Sequence, residues 1–509
     1  MLIGSCAFAS INDPRIYLYD ATHYDLSLGF NFLNRTFSGT VKVTAHPLQP
    51  MTEFVLCASR KTLTIDAVSM AGKRLAFKTD SNSVIITLPQ TLPADKDFEI
   101  AVEYSGKAVR QNQYDTGGLT MEVVDGLGRV ATMSEPYYAR TWWPCKDVPN
   151  DKATATVHIT VASNLTALSN GVLVSTQRLS TASTYTWSTN YPTSTYLIAI
   201  LVGNYRQFSE SYTGSDGKKL PITFWVFPED FAKARIDFGD TKNIVAYFSN
   251  TFCEYPFMNE KLGYAEVQGN MTMENQTICT IENRLLGGDK HYLPTIVHET
   301  AHQWWGDLIT PENWKHSWLN EGFATYAEAL YLEHTGGRSA YNDYIDNIMH
   351  TRQGQYAGSV LGQSDTSYWD AFSSRVYNKG AIVLHMLRGV MGDQKFFSAM
   401  KAYVNNPKLR YANATTDDFQ RACEHETGSS LRWFFAEWVS ANTDSIDRPE
   451  YSYNYSLAPV QSGFTMHLNI SQTTANILVY KMPLDVLIAT KSGSKSYAVT
   501  DSAANQSFT

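Results

Sequence analysis

Alternating apolar and polar positions dominate the first 200 residues of the chain. In "YDLSLGFNF" (24–32) apolar side chains occupy every second position, and the pattern recurs at 98–104 and 155–161. A period of two is typical of strands with one buried face in antiparallel sheets. Turn-forming clusters such as "SGT" and "DGLG" separate these strands. The pattern therefore predicts an N-terminal β domain that ends near Gln207.

Helical periodicity replaces this alternation in the middle of the chain. Apolar residues there recur at intervals of three and four, which predicts amphipathic or buried helices. Gly336 is expected to end the helix that follows residue 320. Alternation returns from about Asp444, in "FTMHLNI" and "MPLDVLIAT". The predicted helical segments are 229–251, 292–308, 320–334, 375–391 and 429–440.

These three patterns divide the chain into domains and predict a multidomain α+β fold. We expect an antiparallel, sandwich-like β domain at 1–207, a mostly helical domain at 208–443 and a second sandwich-like β domain at 444–509. A length of 509 residues agrees with this division, since domains average about 150 residues. The last domain is expected to be incomplete, because the sequence stops at "SAANQSFT" without a closing element.

Composition and charge narrow the functional classes. Apolar residues make up 43% of the chain, enough for large cores. The net charge of −8 argues against nucleic acid or an anionic membrane as the main partner. The apolar run "YLIAILVG" (196–203) is too short to span a membrane and is predicted to be a buried strand. We therefore expect no integral membrane segment.

Location and cysteine chemistry can also be inferred from the sequence. Charged residues are only 18% of the chain, below the usual quarter or so, and this favours a protein outside the cytoplasm. The start "MLIGSCAFAS" resembles the tail of a signal peptide, or a lipoprotein cleavage site at Cys6. We expect a periplasmic or secreted protein, with a cytoplasmic one as the alternative. Six cysteines without C-x-x-C spacing indicate separate, mostly buried thiols.

The candidate chemistry is concentrated in "TIVHETAHQWWGDL" (295–308). His298 and His302 are four residues apart, so a helix projects both from one face, about 6 Å apart. This arrangement suits two imidazoles that bind one tetrahedral metal ion. Glu299 lies about 100° further round the helix, where it can reach the open position of the metal without being a ligand.

A third ligand is offered by Glu321 in "WLNEGFATYAEAL" (318–330), on the next predicted helix. Gly306 and Pro311 lie between the two motifs and can turn the chain back. Two imidazole ligands favour zinc over magnesium or calcium. The structural alternative is a histidine pair whose polar groups are satisfied inside the core without a metal.

Three strings, "HETAHQWWGDLIT", "WLNEGFATY" and "VYNKGA", resemble the M1 family of zinc aminopeptidases, gluzincins with a thermolysin-like catalytic domain. The resemblance covers most of the chain, including "HYDLSLGF" and "RTWWPCKDVP" near the N-terminus. It implies one zinc ion per chain on His298, His302 and Glu321, with Glu299 as general base. It also implies that Tyr377 hydrogen-bonds the tetrahedral oxyanion.

The resemblance further implies a site for the α-amine of a peptide. "MTMENQT" (271–277) is similar to the G-x-M-E-N signature of the family, which implies that Glu274 binds this amine. Glu135 falls where the N-terminal domain of relatives contributes a second acid. Without the resemblance, either acid would be interpreted as a surface or capped carboxylate.

The chain departs from that signature at two positions. Met271 and Thr272 stand where the family has glycine and a small residue. Together with Met273 they are expected to bind substrate, and the larger side chains to narrow or reshape the pocket. Asp307 and Glu328 are candidates to orient the ligand histidines, and helical spacing does not choose between them.

The predicted function is therefore that of a zinc aminopeptidase that removes the N-terminal residue of peptides with a free α-amine. A thermolysin-like zinc endopeptidase is the first alternative. It would share the ligands and the base but would need neither Glu274 nor Glu135. The second alternative is a non-catalytic binding protein with the same fold.

Overall fold

The computed structural model describes residues 13–109, 117–350, 358–441, 449–461, 463–474 and 479–509. The expectations about Cys6 and about a boundary between 443 and 444 concern residues outside these ranges. The chain forms two compact units. One runs to Trp314 and includes Ser364–Tyr368 and Val404–Thr415, and the other comprises Lys315–Gln363, Trp369–Tyr403 and Thr416–Thr509. The division at 1–207, 208–443 and 444–509 stays a prediction.

The first unit is rich in β-strands, as the alternation predicts. In chain order they are β1 (Tyr19–Asn31), β2 (Thr36–Pro47), β3 (Met51–Cys57), β4 (Leu63–Met70), β5 (Lys73–Arg74), β6 (Phe77–Thr79), β7 (Ser83–Leu92), β8 (Phe98–Lys107), β9 (Gly118–Val124), β10 (Leu127–Met133), β11 (Lys152–Ala162), β12 (Thr166–Leu168), β13 (Val172–Arg178), β14 (Ala182–Ser194), β15 (Leu201–Gly203), β16 (Arg206–Thr213), β17 (Lys219–Val226), β18 (Leu262–Val267), β19 (Ile278–Glu282), β20 (Thr310–Pro311) and β21 (Asn413–Ala414).

The largest sheet has the order β13-β14-β11-β1-β2-β8-β4-β5. All three segments predicted from the alternation lie in it, as β1, β8 and β11. Leu26 of β1 pairs with Val157 on one side and Val41 on the other, and all three side chains are buried. One detail differs from the expectation: β1 and β11 run parallel. A parallel pair needs a long connection, and the other strands of this sheet and its neighbours supply one here.

A smaller mixed sheet, β16-β17-β18-β19, positions the chemistry of the first unit. Its strands β17, β18 and β19 are parallel. Every residue of β18 and β19 is buried, as is usual for parallel strands covered on both faces. The loop between these two strands carries Glu274. Two further sheets of this unit have the orders β12-β15-β10-β9 and β3-β7-β6.

Helices follow the mixed sheet, as the periodicity predicts. They are α1 (Phe231–Asp237), α2 (Thr241–Thr251), α3 (Leu293–Ala301), α4 (Glu321–His350), α5 (Tyr368–Ala371), α6 (Gly380–Met391), α7 (Asp393–Val404), α8 (Thr416–Thr427) and α9 (Arg432–Phe434). Turns of 3-10 helix span Pro14–Leu18, Ala139–Thr141, Thr195–Leu197, Phe238–Asp240, Asn283–Leu285 and Trp314–Leu319, and π-helical turns span Arg375–Lys379 and Phe435–Ser440.

Several predicted boundaries are wrong in detail. The helix predicted over 292–308 ends at Ala301, with His302 as its cap. The α4 helix is interrupted at Gly337, where φ is 75°, one residue after the predicted end. In the run 196–203 only Leu201–Gly203 forms a strand. That run is buried as expected, but it begins with a 3-10 turn.

The alternation near the C-terminus also forms strands. They are β22 (Glu450–Val460), β23 (Gly463–Thr473), β24 (Met482–Thr490), β25 (Gly493–Asp501) and β26 (Asn505–Phe508). They pair as β22-β23-β26 and β24-β25. A search of the described residues finds no helix with the length and apolarity that crossing a membrane requires.

Candidate metal centre and active site

Helix α3 carries the two histidines on a well-packed scaffold. Its residues Ile296, Val297 and Ala301 are buried. Pro294 lies in the first turn, where a missing N–H costs nothing. The hydroxyls of Thr300 and of Tyr264, which lies on β18, are 2.5 Å apart. The helix is thereby fixed against the mixed sheet.

The rings of His298 and His302 converge, with centroids 4.6 Å apart and planes at 79°. The Nδ1 of His302 lies 2.9 Å from the carbonyl oxygen of Trp305. A carbonyl only accepts, so Nδ1 carries the proton and Nε2 keeps the lone pair that a metal requires. The His302 ring is thus held in the tautomer and orientation of a metal ligand.

Glu321 is the first residue of α4 and belongs to the second unit. That it binds a metal ion together with His298 and His302 stays a prediction. Two imidazoles and one carboxylate are a ligand set that catalytic zinc uses, with a further position left for water. Magnesium and calcium prefer oxygen ligands, so this group fits zinc.

Glu299 and Glu274 lie beside His302. Each offers an oxygen that, with a ring nitrogen of His302, forms a cluster within 4.8 Å. Glu299 is only 6% exposed, and its carbonyl oxygen accepts a hydrogen bond from the thiol of Cys279 at 3.5 Å. Its position next to a ligand agrees with the predicted role of a general base, which stays a prediction.

The 271–277 loop holds Glu274, which is 3% exposed. Met273 and Thr280 exchange two main-chain hydrogen bonds of 3.1 and 2.8 Å, which fix the loop to β19. An oxygen of Glu135 lies within 4.8 Å of an oxygen of Glu274. Two carboxylates so close repel each other unless a cation or a proton lies between them. The pair is therefore suited to an ammonium group.

The side chains of the signature residues contact protein atoms. Met271 is fully buried in the β core, and its sulfur accepts a hydrogen bond of 3.6 Å from the hydroxyl of Thr120. The hydroxyl of Thr272 accepts from the backbone N–H of Glu282 at 3.2 Å. Met273 is 1% exposed. A substrate-binding role for Met271, Thr272 and Met273 stays a prediction.

The residues around Glu135 form a rigid, buried support. The indole of Trp142 donates to the hydroxyl of Ser134 at 2.9 Å. Arg140 and Asp147 form a buried ion pair of 2.8 Å. These residues belong to the stretch "RTWWPCKDVP", so its described contacts are structural.

Glu321 and Tyr377 lie on segments that approach closely at two glycines of the second unit. A Cβ atom on Gly322 would lie 3.0 Å from the Cα of Gly380 and 3.1 Å from the carbonyl oxygen of Val376. Tyr377 belongs to the π-helical turn that leads into α6. The glycines of "NEG" and "NKG" therefore allow the start of α4 to pack against this turn.

The structure describes several contacts of the two candidates for orienting the histidines, Asp307 and Glu328. Asp307 is fully buried and accepts from the Nε2 of Gln303 at 2.7 Å, and burial raises the pKa of its carboxyl. Lys152 donates to the carbonyl oxygen of Asp307 at 2.7 Å, and burial lowers the pKa of this lysine to about 7. Glu328 hydrogen-bonds Tyr344.

Sequence reasoning did not single out Gln303, a fully buried residue next to the ligand His302. The sequence offered one indication: Gln303 is polar, whereas its neighbours are apolar or are predicted metal ligands. A buried amide must find hydrogen-bond partners, and those partners were not visible in the sequence.

Comparisons with known proteins place this chain in a class, that of the metallopeptidases. The family model described as "Peptidase family M1 domain" matches residues 237–438, and the "Peptidase M1 N-terminal domain" matches 20–197. A solved M1 zinc metallopeptidase from Deinococcus radiodurans is similar in fold, with a TM-score of 0.73 and 24% identity over 84% of this chain and 94% of that one. The chain belongs to peptidase family M1.

Curated relatives are similar in sequence over most of this chain. Glutamyl aminopeptidase of Sus scrofa is 30% identical over 449 residues, which are 82% of this chain and 47% of that protein. "Probable aminopeptidase 1" of Sulfurisphaera tokodaii is 24% identical over 83% of this chain and 53% of that protein. The chain spans about half the length of the curated relatives it matches.

Proposed function

We propose that the protein is a zinc-dependent aminopeptidase that removes the N-terminal residue of peptides with a free α-amine. The observation that carries this proposal is the pair Glu135 and Glu274, whose carboxylate oxygens lie within 4.8 Å of each other. Glu274 also lies within the same distance of a ring nitrogen of His302. A cation held by the two acids is therefore next to a metal ligand, and cleavage falls after one residue.

His298, His302 and Glu321 would hold zinc, which when bound would supply a water of lowered pKa and polarise the scissile carbonyl. Glu299 takes the proton of that water and later delivers it to the leaving nitrogen. Tyr377 donates a hydrogen bond to the oxyanion that develops on the substrate.

The two acids act on the substrate rather than on the water. Glu135 and Glu274 hold the ammonium and so fix which peptide bond reaches the reaction centre. Ionised carboxylates in this buried position gain stability from the positive charge of the substrate. An endopeptidase that accepts the interior of a chain has no use for such a pair, and this disfavours the thermolysin-like alternative.

The test compares one good peptide substrate with its N-acetylated form. Acetylation removes the cation and leaves the acids unpaired, so kcat/KM is expected to fall on the order of 10³-fold. Glu274→Ala should lose much of this factor on the free peptide and discriminate far less between the two. Product masses locate the cut. Efficient internal cleavage of the acetylated peptide by the unmodified protein would overturn the proposal.

Location and partners follow from composition alone. The low share of charged residues, 18%, supports a periplasmic or secreted location, and the net charge of −8 disfavours nucleic acid as a partner. Cell fractionation of the native host tests the first point, and a cytoplasmic pool would contradict it.

A further inference from the structure

Gln303 connects the zinc-ligand helix to the loop that carries Glu274. It follows His302 directly, and its main-chain N–H donates to the carbonyl oxygen of Thr300 at 3.2 Å, so its backbone lies in the turn that directly follows α3. Its side chain reaches the 271–277 loop at two points. The Oε1 accepts from the N–H of Thr277 at 3.0 Å, and the Nε2 donates to the carbonyl oxygen of Glu274 at 3.3 Å.

The Oε1 and Nε2 of this amide also have further hydrogen-bond partners. The hydroxyl of Tyr255 donates to the Oε1 at 3.0 Å, and the Nε2 donates to Asp307 at 2.7 Å. A glutamine amide has two donor hydrogens and two acceptor lone pairs. The Nε2 also lies 3.7 Å from the sulfur of Cys279, so polar atoms surround the amide and fix the side chain of Gln303 in one orientation. The N–H of Thr277 can only donate, so the oxygen of the amide must face it.

Thr277 shows why the loop needs this support. Its φ is 65°, a strained left-handed conformation that a β-branched residue rarely adopts. The N–H of Thr277 is held by Gln303, and its hydroxyl accepts from the N–H of Gly171 at 2.8 Å. The neighbouring carbonyl oxygen of Gln276 accepts from Asn170 at 2.6 Å. The strained turn is thus held from both sides.

The connection through Gln303 affects substrate selection because it sets the distance between the amine site and the reaction centre. In a peptide only one carbon separates the α-amine from the scissile carbonyl, so the amine site and the reaction centre must keep a fixed distance. A displacement of about 1 Å in such a site can cost on the order of 10²-fold in rate. The path from His302 to Glu274 runs through the Gln303 amide and contains no exposed residue.

We propose that Gln303 is a positioning residue that holds Glu274 at the correct distance from the zinc ligands and thereby determines selectivity for a free N-terminus. This inference rests on the proposed aminopeptidase function. It assigns a role to a residue that touches neither substrate nor metal and acts through the backbone of the 271–277 loop.

The experiment measures binding instead of turnover, with leucine hydroxamate and its N-acetyl derivative as probes. Both bind zinc through the hydroxamate, but only the first has an ammonium for Glu274 and Glu135. In zinc-loaded Gln303→Met, which keeps the length of the side chain and loses the amide, the Kd of the free-amine probe should rise about 10- to 100-fold. The Kd of the acetylated probe should change less than about threefold, since the zinc ligands remain in place.

Gln276→Met is the matched control. Gln276 is equally buried and lies in the same loop, but its Nε2 donates away from α3, to the hydroxyl of Thr193 at 2.6 Å. The control should keep the wild-type ratio of the two Kd values. If Gln276→Met and Gln303→Met changed the ratio of the two Kd values equally, any damage to the loop would have that effect. The proposal would then fail.

Two further variants keep the proposal testable if Gln303→Met does not fold. Gln303→Asn keeps an amide but is one methylene too short to reach both loop contacts. It should also lose the wild-type ratio of the two Kd values. Adding Thr277→Gly, which removes the strain of the left-handed backbone, should restore part of it. An unchanged ratio in every foldable Gln303 variant would refute the positioning role. A wild-type protein that does not distinguish the two probes would refute the aminopeptidase function itself.

Discussion

Gly322→Ala tests whether the start of α4 is positioned by close packing against the turn that holds Tyr377. In an exposed helix this substitution stabilises a protein by about 1 kcal/mol, because alanine loses less backbone entropy on folding. Here the new Cβ would lie 3.0 and 3.2 Å from the Cα and carbonyl carbon of Gly380, and 3.1 Å from the carbonyl oxygen of Val376. All three are backbone atoms that cannot rotate away.

The expected magnitude follows from a comparison with a second glycine. Gly389 of α6 is exposed, and a Cβ atom added to it would have no described atom within 4 Å beyond its own helix backbone and chain neighbours. Gly389→Ala should therefore show the full helix-propensity gain. Overpacking a close contact costs about 1–3 kcal/mol. Since both variants share the propensity gain, Gly322→Ala should be less stable than Gly389→Ala by about 1–3 kcal/mol.

Function should respond more strongly than stability. Gly322 follows the predicted ligand Glu321, and Gly380 lies three residues after Tyr377, so a helix shift displaces the side chains of Glu321 and Tyr377. A shift near 1 Å should lower kcat/KM on the order of 10²-fold, while Gly389→Ala keeps wild-type activity. Denaturant unfolding, zinc analysis and peptide kinetics on both variants provide the measurement. If Gly322→Ala were as stable and active as Gly389→Ala, the packing argument would be wrong.

Three further outcomes are expected. Glu299→Gln should keep stoichiometric zinc and lose about 10²–10⁴-fold in kcat, and near wild-type turnover would exclude it as the base. Tyr377→Phe should lower kcat by roughly 10²–10³-fold with little change in KM, whereas a change confined to KM would indicate substrate positioning. Burial raises the pKa of Glu266 from 4.5 to about 8, so between these two values the folded state binds more protons than the unfolded state. Stability should therefore fall as the pH rises from about 5 to about 8 in the wild type, and less in Glu266→Gln; parallel Tm curves would contradict this.

The convergence of His298 and His302 could be predicted because a helix converts spacing into geometry. His298 and His302 share a face at a separation of four residues, and the structure brings their rings to 4.6 Å. The strand pattern succeeded for the same reason, since Leu26 and Val157 alternate with polar residues and pair within one sheet. Local periodicity is sufficient where the functional or buried residues lie on one regular element.

Boundaries and connections could not be predicted in the same way. The stretch after Ala301 keeps apolar residues at helical spacing, but local turn hydrogen bonds replace the helix there. His302 donates to Trp305, and Gly306, with φ of 121°, takes a conformation that ends any helix. The parallel pairing of β1 with β11 likewise depends on residues more than a hundred positions apart.

The roles of individual buried acids show where sequence reasoning stops. Glu266 and Glu274 lie eight positions apart in one stretch, and both are buried. Glu266 accepts from the N–H of Phe227 at 2.6 Å and lies close to the further acids Asp230 and Glu229, so burial and these neighbours raise its pKa to about 8. A carboxyl in that environment is stable with its proton.

Glu274 has a different neighbour, Glu135, which comes from a distant part of the sequence. Two acids that face each other beside a metal ligand are stabilised when a cation binds between them, whereas a lone buried acid needs only a proton. The difference between a structural carboxyl and the proposed substrate-binding carboxyl therefore lies in the group opposite each one, which only the folded chain determines. The same argument applies to Gln303, because a buried amide becomes functionally informative once its hydrogen-bond partners are known.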